Sequence, residues 1–215
     1  MRKPAFTPLA IRRTALAILF AGVLALTSCN SSAPTQETKA VKPNEYLSGR
    51  EAFQKLYVAA HAVAGDVKPY RMQSRFTKGS PANEGKSGLW RADFASPSKK
   101  ISKTFTWSGI AGPDAPKPGV SYGADDTYNP GNTTTHIFDV QFLKVDSDAA
   151  FKVAQQHGGE KLTRANPDQL VFYTLDFDAR QNQLIWRITY GDSQYDAKLN
   201  VSVDATSGLF LREEK

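Results

Sequence analysis

Hydrophobic and polar positions alternate with period two over two adjoining runs near the C-terminal end of the chain. Leu184, Trp186, Ile188 and Tyr190 share one face, with Ile185, Arg187 and Thr189 between them. After a turn region at Gly191–Asp196, Ala197, Leu199, Val201 and Val203 share a face, and Lys198, Asn200, Ser202 and Asp204 take the other. This alternation predicts an antiparallel hairpin with one apolar side. The pattern recurs 96 residues upstream, where Trp90 stands for Trp186, Phe94 for Tyr190, Ile101 for Ala197, Phe105 for Val201 and Trp107 for Val203. The chain reads as two copies of one unit.

Each copy opens on a helical period. Ser48-Gly49-Arg50-Glu51 is a capping box, followed by Phe53, Leu56, Tyr57, Ala60, Val63 and Ala64 at helical spacing, with Gly65 as the stop. Tyr70, Met72, Ser74 and Phe76 alternate with Arg71, Gln73, Arg75 and Thr77, and strands follow at about 89–94 and 101–107. In the second copy Asp146-Ser147-Asp148 caps a helix carrying Ala150, Val153, Ala154 and His157, ended by Gly158-Gly159. Val171, Tyr173, Leu175 and Phe177 line the next strand. The predicted fold is α+β: two tandem units, 46–108 and 136–215, each a helix against an antiparallel sheet. Residues 109–135 form a Gly/Pro-rich insertion between them, read as irregular, and Ile137–Leu143 alternates like a strand.

Residues 1–28 change the charge picture. Arg2, Lys3, Arg12 and Arg13 precede a 14-residue apolar run, Thr14–Thr27, too short to span a bilayer as a mature helix. The run ends in Leu26-Thr27-Ser28-Cys29, which resembles a bacterial lipobox. That resemblance implies a lipoprotein signal peptide over 1–28, lipidation of Cys29 and a membrane anchor there. Residues 29–45 then form a polar, disordered tether. Asn30 stands where Asp would mark inner-membrane retention, which favours the outer membrane facing the periplasm. Without the four leader cations the formal charge of +6 falls to +2, so no basic patch motivates nucleic-acid binding. Cys29 is the single cysteine, which leaves no disulfide and no thiolate metal site.

The second unit resembles the PepSY family, on Asp146-Ser147-Asp148-Ala149-Ala150, then Trp186-Arg187-Ile188-Thr189-Tyr190, then the closing Val203-Asp204-Ala205-Thr206-Ser207-Gly208. The first unit keeps a remnant, Ser108-Gly109. The resemblance implies a cystatin-like fold found in envelope proteins and propeptides, with proposed modulation of peptidases and no catalytic residue. In the closing turn, Asp204 is expected to accept backbone N–H groups and Gly208 to supply a positive φ.

No nucleophile elbow, zinc-protease helix, phosphate loop or dinucleotide fingerprint occurs, and no cofactor is expected. His61, His136 and His157 are scattered, and Asp125, Asp126 and Asp139 lack the spacing of a calcium loop. Trp90, Trp107 and Trp186 fall on apolar faces and read as core. Arg91 and Arg187 hold matching polar positions, read as solvated or open to an anionic partner. The leading reading is a non-enzymatic envelope lipoprotein that binds a protein or peptide. Its possible recognition loop carries Tyr122, Asp125, Asp126 and Tyr128. The alternatives are an envelope hydrolase using the Asp125/Asp126 loop and a small-ligand-binding lipoprotein.

Overall fold

Ser48 begins the described helix–sheet body with the capping box in place. Its Oγ accepts from the Glu51 backbone N–H at 3.4 Å, and the Glu51 carboxylate accepts from the Ser48 N–H at 2.9 Å. The computed structural model describes residues 44–77, 84–112, 115–132 and 135–214. Cys29, the leader and most of the tether lie outside them. The first part of the chain forms β1 (Leu47–Ser48), α1 (Gly49–Val63), β2 (Lys68–Ser74), β3 (Lys86–Ser87), β4 (Leu89–Ser96), β5 (Ile101–Ser108) and β6 (Gly119–Thr127). After a 3-10 turn at Val140–Phe142 come α2 (Ser147–Ala154), α3 (Glu160–Ala165), β7 (Val171–Asp178), β8 (Gln183–Ser193), β9 (Asp196–Asp204) and β10 (Phe210–Glu214). The fold is α+β, built on one large antiparallel sheet.

That sheet has eight strands in the order β10-β9-β8-β7-β2-β4-β5-β6, so the halves are not separate sheets. Arg71 pairs with Asp176, Met72 with Leu175 and Gln73 with Thr174, which joins β2 to β7 at the middle. Periodicity shows which residues share a face but not which strands meet, so this seam was not legible. The register within the halves does follow the sequence offset. Trp90 pairs with Trp107 and Trp186 with Val203; Ala92 pairs with Phe105 and Ile188 with Val201.

The helices lie on one side, α1 over β4 and β5 and α2 over β8 and β9. Between them sit Trp90 and Trp186, neither with any exposed surface, their rings 6.4 Å apart and edge to face. Each indole N–H donates to the carbonyl just before a helix cap: Trp90 to Leu47 at 3.0 Å, Trp186 to Val145 at 2.9 Å. Burying such a ring contributes roughly 4–6 kcal/mol at 150–250 Å² each. The two helix starts also bond directly. Asp146 accepts from Ser48 Oγ at 2.7 Å and the Arg50 N–H at 2.8 Å, and Ser147 Oγ accepts from the Gly49 N–H at 2.6 Å. A carboxylate and a hydroxyl from one helix thus satisfy orphan donors of the other.

Four expectations need correction. The insertion is not irregular throughout, because seven of the nine residues of β6 pair with β5 at the sheet edge. Its glycines and aspartates are poor strand formers, yet Val120 and Tyr122 alternate, and prolines frame the strand without entering it. Ile137–Leu143 is not a strand: Phe138 donates to the Pro69 carbonyl at 2.8 Å, and Asp139 caps the 3-10 turn through the Gln141 N–H at 3.1 Å. Buried Phe138 and Leu143 are therefore anchors five residues apart rather than strand neighbours. Gly65 does not close α1, which ends at Val63 with Ala64 already extended. Gly158 (φ 101°) does break α2, but helix resumes at α3.

The closing turn matches its expectation. Asp204 Oδ1 accepts from the N–H groups of Thr206 at 2.7 Å and Ser207 at 2.6 Å, and Gly208 has φ 80°.

Candidate functional site

Among the described residues no helix packs on the second face of the sheet. Pairing register places one residue from every strand in a single row across it. From Gln73 and Thr174 at the seam, the row runs outward through Arg91, Thr106 and Ser121 on one side. On the other it runs through Arg187, Ser202 and Arg212. At a strand spacing of ~4.8 Å the row spans roughly 34 Å. All eight residues are polar.

The two arginines that matched in sequence are held differently. Arg187 is not solvated as expected: its side chain is 22% exposed. Its Nη1 donates to Asp176, and its Nε donates to both Glu214 oxygens, at 3.2 and 3.3 Å. Burial alone would lower its pKa, but the facing charges of Asp176 and Glu214 outweigh that and hold it raised. Glu214 also accepts from Ser202 Oγ at 2.5 Å and Arg212 Nη2 at 3.0 Å, while Asp178 takes a second bond from Arg212 at 2.9 Å. This half of the row is a closed ion network. Arg91 is 40% exposed and is aimed by Asp93, at 3.4 Å from Nε, and by Thr104 Oγ1, at 3.0 Å from Nη2. Nearby, burial first, and the Asp93 carboxylate second, push the Tyr70 phenol up.

Gln73 stands directly opposite Arg91 and is 6% exposed. Its Oε1 is buried and has no hydrogen-bond partner among the described residues. Buried side-chain acceptors are nearly always paired, so this orphan is an exception that costs the fold stability. Beside it, a cavity of about 480 Å³ is lined by Arg75, Phe76, Thr77, Leu89, Arg91, Thr106 and Pro116. A second, of about 260 Å³, lies on the other side of Arg75 and Phe76, between Phe172 and the Asp192–Tyr195 turn. Phe76 and Tyr195 are exposed aromatics at this end of the face.

The four residues of the expected recognition loop are not in a loop of one kind. Tyr122, Asp125 and Asp126 lie on β6, while Tyr128 is 5% exposed and packed away. Tyr122 rests on Phe105 with ring centroids 5.4 Å apart, and Lys103 stands 4.9 Å over its ring. Asp125 pairs with Lys103 at 2.6 Å. Register sets Asp125 opposite Lys103 and Asp126 opposite Ser102, so the two carboxylates point to opposite sides of the strand. They do not form an acid–base pair, and Asp139 lies elsewhere, 3.8 Å from Lys68. Gln73, Arg75 and Phe76 were missed as site residues. The available signal was the polar side of the alternating run from Tyr70 to Thr77, where Arg71 and Arg75 flank Gln73.

No family model matches the chain, and no curated protein matches it. One solved structure that does resemble it is of a presumed lipoprotein of Clostridium difficile 630, at 10% identity and a TM-score of 0.48, covering 76% of this chain and 91% of that one. At that level the likeness defines neither a family nor a function. The PepSY resemblance therefore stands on the residues that carry it. No helix among the described residues is long and apolar enough to cross a membrane.

Proposed function

We propose that this chain is a non-enzymatic cell-envelope lipoprotein, anchored by lipidated Cys29, that binds a protein or peptide on the uncovered face of its eight-stranded sheet. The observation that carries the reading is the all-polar row across the uncovered face, with half-exposed Arg91 in it and two cavities beside it. Arginine and exposed aromatics together are what interface centres favour. The two halves are read as PepSY-like copies of one helix–sheet unit, supported by the shared register offset and by the matching indole-to-carbonyl bonds. Modulation of an extracytoplasmic peptidase is the partner reading that this resemblance adds.

The experiment is site-specific photo-crosslinking in cells, with the reactive residue at Thr106 or Thr174 on the open face and at Val58, an exposed position of α1. Defined envelope adducts from Thr106 and Thr174, and none from Val58, are expected. Adducts from Val58 alone, or equal yields from all three, would overturn the open face as the binding surface. Cys29→Ser separately tests the anchor, by blocking lipidation and shifting the protein to a soluble or unprocessed form, read by mass spectrometry of its N-terminus.

A further inference from the structure

We propose that β6 is a docking edge for a second copy of this chain, the two β6 strands pairing antiparallel about a two-fold axis at Ser121. The described sheet ends at β6, and all nine residues of the strand are exposed, Val120 by 41% and Tyr122 by 60%. The opposite edge is built differently: on β10, Arg212 and Glu214 are tied into the ion network with Asp178 and Arg187. An edge strand is a template for another strand unless proline, lysine or a bulge blunts it. Gly119–Thr127 contains neither proline nor lysine. Its bulge, between Tyr122 and Asp125, leaves Gly119–Tyr122 in regular register with β5.

The ladder decides which backbone groups of β6 point outward, because bonded and non-bonded pairs alternate along an antiparallel pair. The Gly109 N–H donates to the Gly88 carbonyl, so the odd-numbered residues of β5 bond to β4. The Tyr128 N–H donates to the Lys100 carbonyl, so the even-numbered ones bond to β6. Thr106 therefore bonds to Ser121, while Val120 and Tyr122 turn their N–H and C=O groups away from the sheet. Thr127 turns outward too, and its N–H falls back on the Asp126 carboxylate at 2.7 Å.

A second β6 completes this edge. Antiparallel about Ser121, Val120 bonds to the partner's Tyr122 and Tyr122 to the partner's Val120, so the outward groups meet their complements. The same two side chains lie on the helix side, opposite Trp107 and Phe105, and meet across the axis as an aliphatic–aromatic pair. Charge points to the same arrangement. Exposed Lys117 precedes the strand and Asp125-Asp126 closes it, so antiparallel pairing sets each lysine beside the partner's acids. Backbone, apolar pair and charge agree in one register, and that self-complementarity selects a second copy over an unrelated strand. The polar row that ends at Ser121 would then run on into the partner's row.

The test uses the chain in the cell envelope, with the parent, whose single cysteine is Cys29, as the baseline. In a non-bonded antiparallel pair the Cα atoms lie about 4.5 Å apart, within disulfide reach. Ser121→Cys should therefore give, on mild oxidation, a disulfide dimer at the mass of two chains on a non-reducing gel. Thr127→Cys, roughly 35 Å from its copy in this register, should give at least tenfold less. Adding Lys117→Glu to Ser121→Cys should cut the dimer several-fold. Adding Asp126→Lys as well should restore it, which a merely misfolded variant would not do. No dimer above the parent from Ser121→Cys, equal yields at the two positions, an adduct with a different protein instead, or no restoration by the charge exchange would each overturn the proposal.

Discussion

Gly49→Ala is the substitution for which local propensity and packing give opposite signs. Alanine at the first position of α1 should gain up to about 1 kcal/mol of helix propensity over glycine. The added Cβ, however, would lie 2.5 Å from Trp186 Cη2, 3.0 Å from Cζ2 and 3.1 Å from Ser147 Oγ. Trp186 has nowhere to go: it is fully buried, its N–H is held by Val145 at 2.9 Å, and its ring abuts Trp90. Overpacking of this kind costs about 1–3 kcal/mol, and displacing Ser147 weakens its bond to the Gly49 N–H by about 1 kcal/mol more. The net expectation is a loss of about 2 kcal/mol, which at an m-value of ~2 kcal/mol/M lowers the urea midpoint by about 1 M. Tryptophan fluorescence reads that transition. Gly65→Ala is the control, since nothing lies within 4 Å of its added Cβ; it should be neutral or slightly stabilising. If Gly49→Ala unfolds at or above the parent midpoint, the close approach of helix start and indole is refuted.

Three further expectations follow from the same interactions. Trp90→Phe and Trp186→Phe should each cost about 1–3 kcal/mol in urea unfolding, because each removes the donor to a carbonyl, buried at Leu47 and part-buried at Val145, and the Trp90 loss should be at least as large. Gln73→Leu should raise the urea midpoint, since it removes a buried unpaired acceptor; a lower midpoint would show that the amide oxygen already has a structural partner. Asp66 is held down to about 2 by the Ser96 hydroxyl first and the Ser98 backbone N–H second. A depressed carboxylate contributes stability that is full above its unfolded pKa near 3.8 and is lost as pH falls through about 2. Asp66→Asn should therefore flatten the pH dependence of the midpoint between those values, and an unchanged slope would contradict the assignment.

The local grammar of the chain was readable because it is written in short-range chemistry. Ser48 and Glu51 are three residues apart, Asp204 to Gly208 is one turn, and the Trp186 strand alternates by itself. What escaped depends on pairing at a distance. Nothing in Met72 or Leu175 announces that they face each other across the seam. β6 was hidden by residues that are poor strand formers and are tolerated at an edge, and 137–143 mimicked a strand because two buried anchors happen to bracket a capped turn. The candidate site was missed for a related reason. Gln73 is ordinary on a polar strand face, and it becomes unusual only once its neighbours bury it and leave its oxygen unmatched.

The seam carries a consequence for how molecules of this chain meet one another. If Gln73 corresponds to Thr174, as the positions of Ser74 and Leu175 opposite the two tryptophans place them, then β2 and β7 meet as two equivalent edges related by a two-fold axis. Edges of that kind fit as well between molecules as within one. A chain whose halves part exposes both, and a second parted chain can close on them without forming any contact foreign to the fold. Refolding at high concentration should therefore yield exchanged dimers whose seams match the monomer's bond for bond, separable by size but not by spectrum.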